Sequence, residues 1–199
     1  MKISDDDVKH CLAEVAKVVE EYELYSRAKG HTYRSVDDLE WLAGEHLNKS
    51  VTVEDLMLAA DDRVIRGVFT ALEDGSYVIY LLAELGERER RFVKCKELFH
   101  VILDEERCRS MDIYGHLELA AAAFSIDDDI SPESPVVWEM LAEIAAMEFL
   151  LPYKERLTII AGAGNDIDYA NVARRYGVPQ IYVEGYLSEA MMSEFAKVC

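Results

Sequence analysis

Three observations predict an α+β fold, mostly helical, with a small antiparallel sheet or hairpin packed on one central helix. Apolar residues recur at helical spacing along most of the chain, the β-branched and aromatic runs cluster between residues 51 and 82, and the turn dipeptide Asp74-Gly75 separates two of those runs. With 199 residues, 51% hydrophobic and 30% charged, the chain is long enough for one well-buried core. A single domain is expected, with an N-terminal helix in 1–34, a core in 35–152 and a C-terminal helical segment in 153–199.

Taken in order, Ser4 and the acidic Asp5-Asp6-Asp7 start a long helix whose inward residues are Val8, Cys11, Leu12, Val15, Val18, Val19 and Tyr22, stopping near Gly30. A second helix begins at Ser35, with Val36, Leu39, Leu42 and Leu47 inward. Val51-Thr52-Val53 reads as a strand, and 66–72 with 77–82 as a hairpin. The hairpin feeds a helix through residue 104, and another helix is expected over 109–124. The acidic, proline-bearing stretch 126–135 reads as a loop. Ser134 and Pro135 then start a helix that stops at Pro152. AGAGND, 161–166, reads as a turn, because a lone GAG without a preceding strand is weak evidence for phosphate binding. Residues 172–183 have the small-residue, glycine and apolar spacing of a helix-turn-helix.

Thirty-nine acidic against twenty-one basic residues give a net charge of −18, which repels a polyanion. Direct nucleic-acid binding is not expected, and the second helix of the C-terminal corner brings glutamates but no lysine or arginine, leaving Arg174-Arg175 alone. The acidic bursts at 5–7, 37–38, 61–62, 104–106 and 127–129 read as helix caps and solubilising surface, with a DNA-mimicking inhibitor of a nucleic-acid-binding protein as the sharper alternative. Cys11, Cys95, Cys108 and Cys199 show no CxxC spacing, so neither a zinc ribbon nor a disulfide framework is suggested. No run of eighteen apolar residues is present and MKISDDDVKH lacks the layout of a signal peptide, so a cytoplasmic protein without membrane partners is expected.

The chemically suggestive string is Lys96-Glu97-Leu98-Phe99-His100. It matches the HExxH zinc-hydrolase helix except at its first position, where a lysine stands in place of a histidine. To coordinate zinc near pH 7, Lys96 must lose a proton from a group of reference pKa about 10.4, at a cost of about 4 to 5 kcal/mol. A protonated Lys96 shares a helical face with His100 and is expected to pair with Glu139 or Glu143, supplying the charge of a cation rather than a ligand to one. Cys95 lies about 100° away around the helix and does not rescue the set.

In its surroundings this string resembles the ImmA/IrrE family of gluzincin-like metallopeptidase domains. The pattern RFxxAHELGH is similar to Arg91-Phe92-Val93-Lys94-Cys95-Lys96-Glu97-Leu98-Phe99-His100, and ExEANxFAAxLLMP is similar to 139–152, with Ala142, Ala146, Leu150 and Pro152 in register. The similarity covers roughly residues 36 to 187 and implies a zincin-like core. It further implies zinc on two histidines and a glutamate, with a glutamate as general base. Carried over by position, Glu97 is the base, His100 the second histidine and Lys96 the replaced first one. Anchoring on Pro152 puts the third ligand at Leu141, flanked by Glu139 and Glu143. The resemblance therefore implies a degenerate, metal-free site with no cofactor, and a protein that works by binding a protein partner in bacterial or phage regulation. The alternative is an active metallopeptidase with zinc on an altered ligand set drawn from His100, Glu139 and Glu143, or from His46 or His116, with Glu97 as base.

Overall fold

The computed structural model describes residues 3–26, 34–57, 66–103, 135–164 and 166–199. The helix expected over 109–124, the loop 126–134, Cys108, His116 and three of the acidic bursts lie outside the described residues.

Helix α1 (Asp5–Tyr25) begins as its cap dictates, the Ser4 hydroxyl accepting from the Asp7 amide at 3.1 Å with three aspartates at the positive end of the helix dipole. Cys11, Val15, Val18 and Tyr22 are its buried stripe. Its backbone leaves the helix at Ser26, earlier than the expected stop near Gly30. Helix α2 (Val36–Glu45) repeats the device, with Ser35 accepting from the Asp38 amide and Leu39 and Leu42 fully buried.

Strands β1 (Val51–Leu56), β2 (Gly67–Ala71) and β3 (Tyr77–Leu82) form one sheet in the order β1-β3-β2. β2 and β3 are the expected antiparallel hairpin, pairing Phe69 with Ile79, and Gly75 supplies the positive φ of its turn at 83°. β1 joins the far side of β3 in parallel, Val51 opposite Tyr77, so the sheet is mixed. β3 is thereby central and buried on both faces, which explains why Tyr77-Val78-Ile79-Tyr80-Leu81-Leu82 is a continuous apolar run.

Helix α3 (Glu87–Ile102) carries the KELFH string and is sandwiched between β2 and β3 on one side and helix α4 (Pro135–Leu150) on another, with α2 flanking it. Ala142, Ala145 and Ala146 are almost or wholly without exposed surface. Small residues let helix backbones approach closely, and α4 duly packs on both α3 and α1. Pro152 starts helix α5 (Tyr153–Ala163), which continues through the first three residues of the expected AGAGND turn because nothing there breaks a helix until Gly164, at φ 60°. Helices α6 (Tyr169–Tyr176), α7 (Gln180–Tyr186) and α8 (Glu189–Phe195) complete the chain. Arg156 anchors them to α4: fully buried, it lies 2.6 Å from Glu148 and 4.1 Å above the Phe195 ring. Among the described residues no helix is long and apolar enough to cross a membrane.

Candidate functional site

The site is built where α3, α4 and the hairpin meet. On α3, residues 96 and 100 are one turn apart on the same face, and both reach a single carboxylate of α4. Lys96 Nζ lies 2.6 Å from Glu139 Oε2, and His100 Nε2 lies 3.1 Å from Glu139 Oε1. The same ammonium sits 3.2 Å from Glu97 Oε1, whose side chain is only 2% exposed. One cation thus faces two carboxylates in a mostly buried setting. Burial opposes the charge on Lys96, but the carboxylates of Glu97 and Glu139 outweigh it and hold the ammonium pKa well above its ordinary range. Burial likewise opposes the charge on Glu139, and His100 and Lys96 overcome it, keeping that carboxyl well below the usual carboxylate range.

β2 shapes the wall of the site. A methyl group on Gly67 would stand 2.4 Å from Val93 Cγ1 and 3.1 Å from Glu97 Oε1, so the strand reaches α3 only because residue 67 has no side chain. Two residues on, the Phe69 ring stacks on the His100 imidazole at 5.3 Å between centroids and 16° between planes. Two buried polar atoms are left without a hydrogen-bond partner there, Glu97 Oε1 and His100 Nε2. Each is within ion-pair distance of a neighbour, yet neither is aligned with it for a hydrogen bond.

The two other acidic positions behave differently from Glu139. Leu141, where the Pro152-anchored register puts a third ligand, is a buried core residue beside α1, its carbonyl accepting from the Cys11 thiol at 3.4 Å. Residues 139 and 141 are about 200° apart around a helix, so the rotation of α4 that brings Glu139 to α3 turns Leu141 away. Glu143 accepts from the Tyr186 hydroxyl at 3.3 Å and stays out of ion-pair contact with Lys96, although the ammonium is near enough to temper the rise that burial causes in its pKa. His46 stacks on Tyr25 at 4.0 Å and meets Trp41 edge-on, on another flank of the molecule. Cys95 is fully buried, and burial pushes its thiol up to about 12.

The site is also tied to the C-terminal corner. Arg91, five residues before Lys96, donates to the Tyr176 and Gly177 carbonyls at 2.9 and 2.8 Å and to the Arg34 carbonyl at 2.6 Å. Gly177 adopts φ 62°, and a side chain on it would meet the Arg91 guanidinium at 3.1 Å. The turn between α6 and α7 is therefore clamped to the motif helix. None of Gly67, Phe69 or Arg91 is a titratable ligand type for zinc, which is why a search for ligand spacing passes over them. The signal for Gly67 was a glycine inside a strand pattern, a mark of close backbone approach.

Zinc does not fit this donor set as it stands. A ligand at position 96 must offer a lone pair, and an ammonium whose proton is held more tightly than usual offers none. Among the described residues no group of three or more His, Cys, Asp or Glu side chains is arranged to hold a metal ion. A family model, the IrrE N-terminal-like domain of the M78 peptidases, matches residues 49–185, more than half of the chain. A search of curated proteins finds no match.

Proposed function

Because the chain belongs to the IrrE N-terminal-like (M78 peptidase) family, we propose that it is a metal-free member of that family which binds a protein partner rather than cleaving one, in bacterial or phage regulation. The observation that carries this reading is the Lys96 ammonium at the first ligand position, 2.6 Å from Glu139 and 3.2 Å from Glu97. Peptide hydrolysis by an HExxH helix needs a polarised water and a carboxylate free to take its proton. Here the carboxylate in the base position, Glu97, faces an ammonium instead. The rival, a peptidase with zinc on His100, Glu139 and Glu143, asks a second cation to enter where the Lys96 ammonium already pairs with Glu139 and Glu97, and asks Glu143 to leave the Tyr186 hydroxyl.

The clamped C-terminal corner and the buried ion cluster are held by protein groups alone, without calling on a metal. The cytoplasm is the compartment this reading assigns. Elemental analysis of the purified wild-type chain, prepared with zinc in the medium, is expected to find far less than one equivalent. A stoichiometric ion would sink the proposal. So would a metal-dependent cleavage of a co-purifying protein that is lost in Glu97→Gln.

A further inference from the structure

Apart from the ion cluster, the described residues leave a groove of about 660 Å³ along α1, bounded by the end of α3, the start of α4 and the turn between α2 and β1. We infer that this groove is the seat of the chain's own residues 109–124, held there as an amphipathic helix. Its lining is apolar: Cys11, Val18, Val137 and Leu141 are buried, and Leu103 and Trp138 half-buried. One rim carries the carboxylates Asp7, Glu14 and Glu21, spaced seven apart so that they follow one edge of α1, with Lys17 paired to Glu14 on the same edge. From Asp7 to Glu21 that edge is about 21 Å long at 1.5 Å per residue.

Where the chain enters and leaves names the occupant. Helix α3 runs into the groove at Leu103 and α4 lines it from Val137, so the stretch that joins them, residues 104–134, starts and finishes there. Within that stretch Ile113, Leu117, Ala120 and Phe124 recur at i, i+4, i+7 and i+11, the pattern of a helix with one apolar face. As a helix, residues 109–124 span about 24 Å, a match to the length of the α1 edge. Arg107 and Arg109 bring positive charge to the start of the segment, complementary to the acidic rim. The tethers are short, residues 104–108 on one side and 125–134 on the other. Short tethers hold a segment at an effective concentration of order millimolar, with which a second copy or a separate partner must compete from solution. The α1 face is then filled from within the chain, and a protein partner docks elsewhere.

The test places the photoreactive residue benzoylphenylalanine at position 17, where the Lys17 side chain is 69% exposed on the rim, in the otherwise unaltered full chain. Irradiation is expected to give a cross-link within one chain, mapped by mass spectrometry to residues 109–124, with a yield that dilution does not change. In that background Leu117→Asp puts a charge on the apolar stripe and is expected to cut the yield at least about tenfold. Leu119→Asp makes the same exchange about 200° around the helix from Leu117 and is expected to leave the yield within about twofold. Circular dichroism confirms that each variant is folded. Should Leu117→Asp not fold, Phe124→Asp tests the same stripe nearer its end. Equal yields in the folded 117 and 119 variants overturn the inference, as does a cross-link to any other segment or none at all. Cross-linked dimers overturn it in favour of a second copy, and adducts with a co-purifying protein in favour of a partner.

Discussion

At the scale of single residues, the Lys96 ammonium is the group on which the cluster depends. Replacing it with an apolar isostere strands Glu97, 2% exposed, beside Glu139, and breaking a buried pair from one side costs about 3 to 5 kcal/mol. Glu139 keeps 44% of its side-chain surface, so solvent screens part of that loss. Lys96→Met is therefore expected to lower unfolding free energy by about 2 to 4 kcal/mol in chemical denaturation, and Glu139→Gln by a smaller amount. Equal, negligible effects would show that the cluster carries no stability. Gly67→Ala is a second residue-scale test: its methyl meets Val93 Cγ1 at 2.4 Å, and overpacking of this kind costs about 1 to 3 kcal/mol. That Lys96 and His100 share one face was legible in the sequence, because i and i+4 on a helix are neighbours whatever surrounds them, whereas the turn of Glu97 toward the ammonium was not, since adjacent positions point about 100° apart. The partner on α4 was not. α4 buries Val137, Leu141, Ala142, Ala145, Ala146, Met147, Phe149 and Leu150, so its apolar residues surround it and give no phase by which to choose between 139, 141 and 143. Only packing against α1 and α3 fixes that rotation.

At the scale of elements, local chemistry wrote the helix starts plainly. Ser4 and Ser35 each cap a helix whose first turn is acidic, and both bonds form. The parallel pairing of β1 with β3 was not readable in the same way, since a three-residue β-branched run states that a strand exists but not which edge it joins. The C-terminal corner shows the opposite case: its spacing predicts two helices around Gly177, and the structure gives that glycine a further duty as the landing site of Arg91. Arg91 joins α3 to α6 and α2 through three carbonyls, and deleting a charged donor leaves those acceptors short of partners. Arg91→Ala is expected to cost about 2 to 4 kcal/mol and to raise amide exchange in α6 and α7 more than in α1. Uniform exchange across the molecule would show that the arginine does not fasten the corner.

At the scale of the whole molecule, the charge of −18 and the use of the basic residues point the same way. Two acidic bursts are engaged structurally: residues 5–7 open α1, while Asp37 binds Lys94 and Asp38 binds Ser26. Arg174 is paired with Asn171 and Arg175 lies over Tyr176, so the helix-turn-helix spacing presents no row of free cations among the described residues. The core offers a sharper global probe in its thiols. Cys11 sits at the α1–α4 contact and Cys95 inside α3, and burial drives each thiol from an ordinary 9.0 up to about 12. A folded-state pKa above the unfolded one stabilises fully below the unfolded value and is lost as pH climbs toward the folded value. Resistance to denaturant attributable to these two thiols should therefore hold steady up to about pH 9 and fall between 9 and 12. Below that window the buried thiols are also poor nucleophiles, because the thiolate is the reactive form. Native protein treated with iodoacetamide at pH 8 and mapped by mass spectrometry is expected to carry label on exposed Cys199 and none on Cys11 or Cys95 until denaturant is added. Labelling of Cys95 at the rate of Cys199 in the native state would mean that α3 opens readily, and an ion cluster held on that helix could not then act as a fixed substitute for a metal.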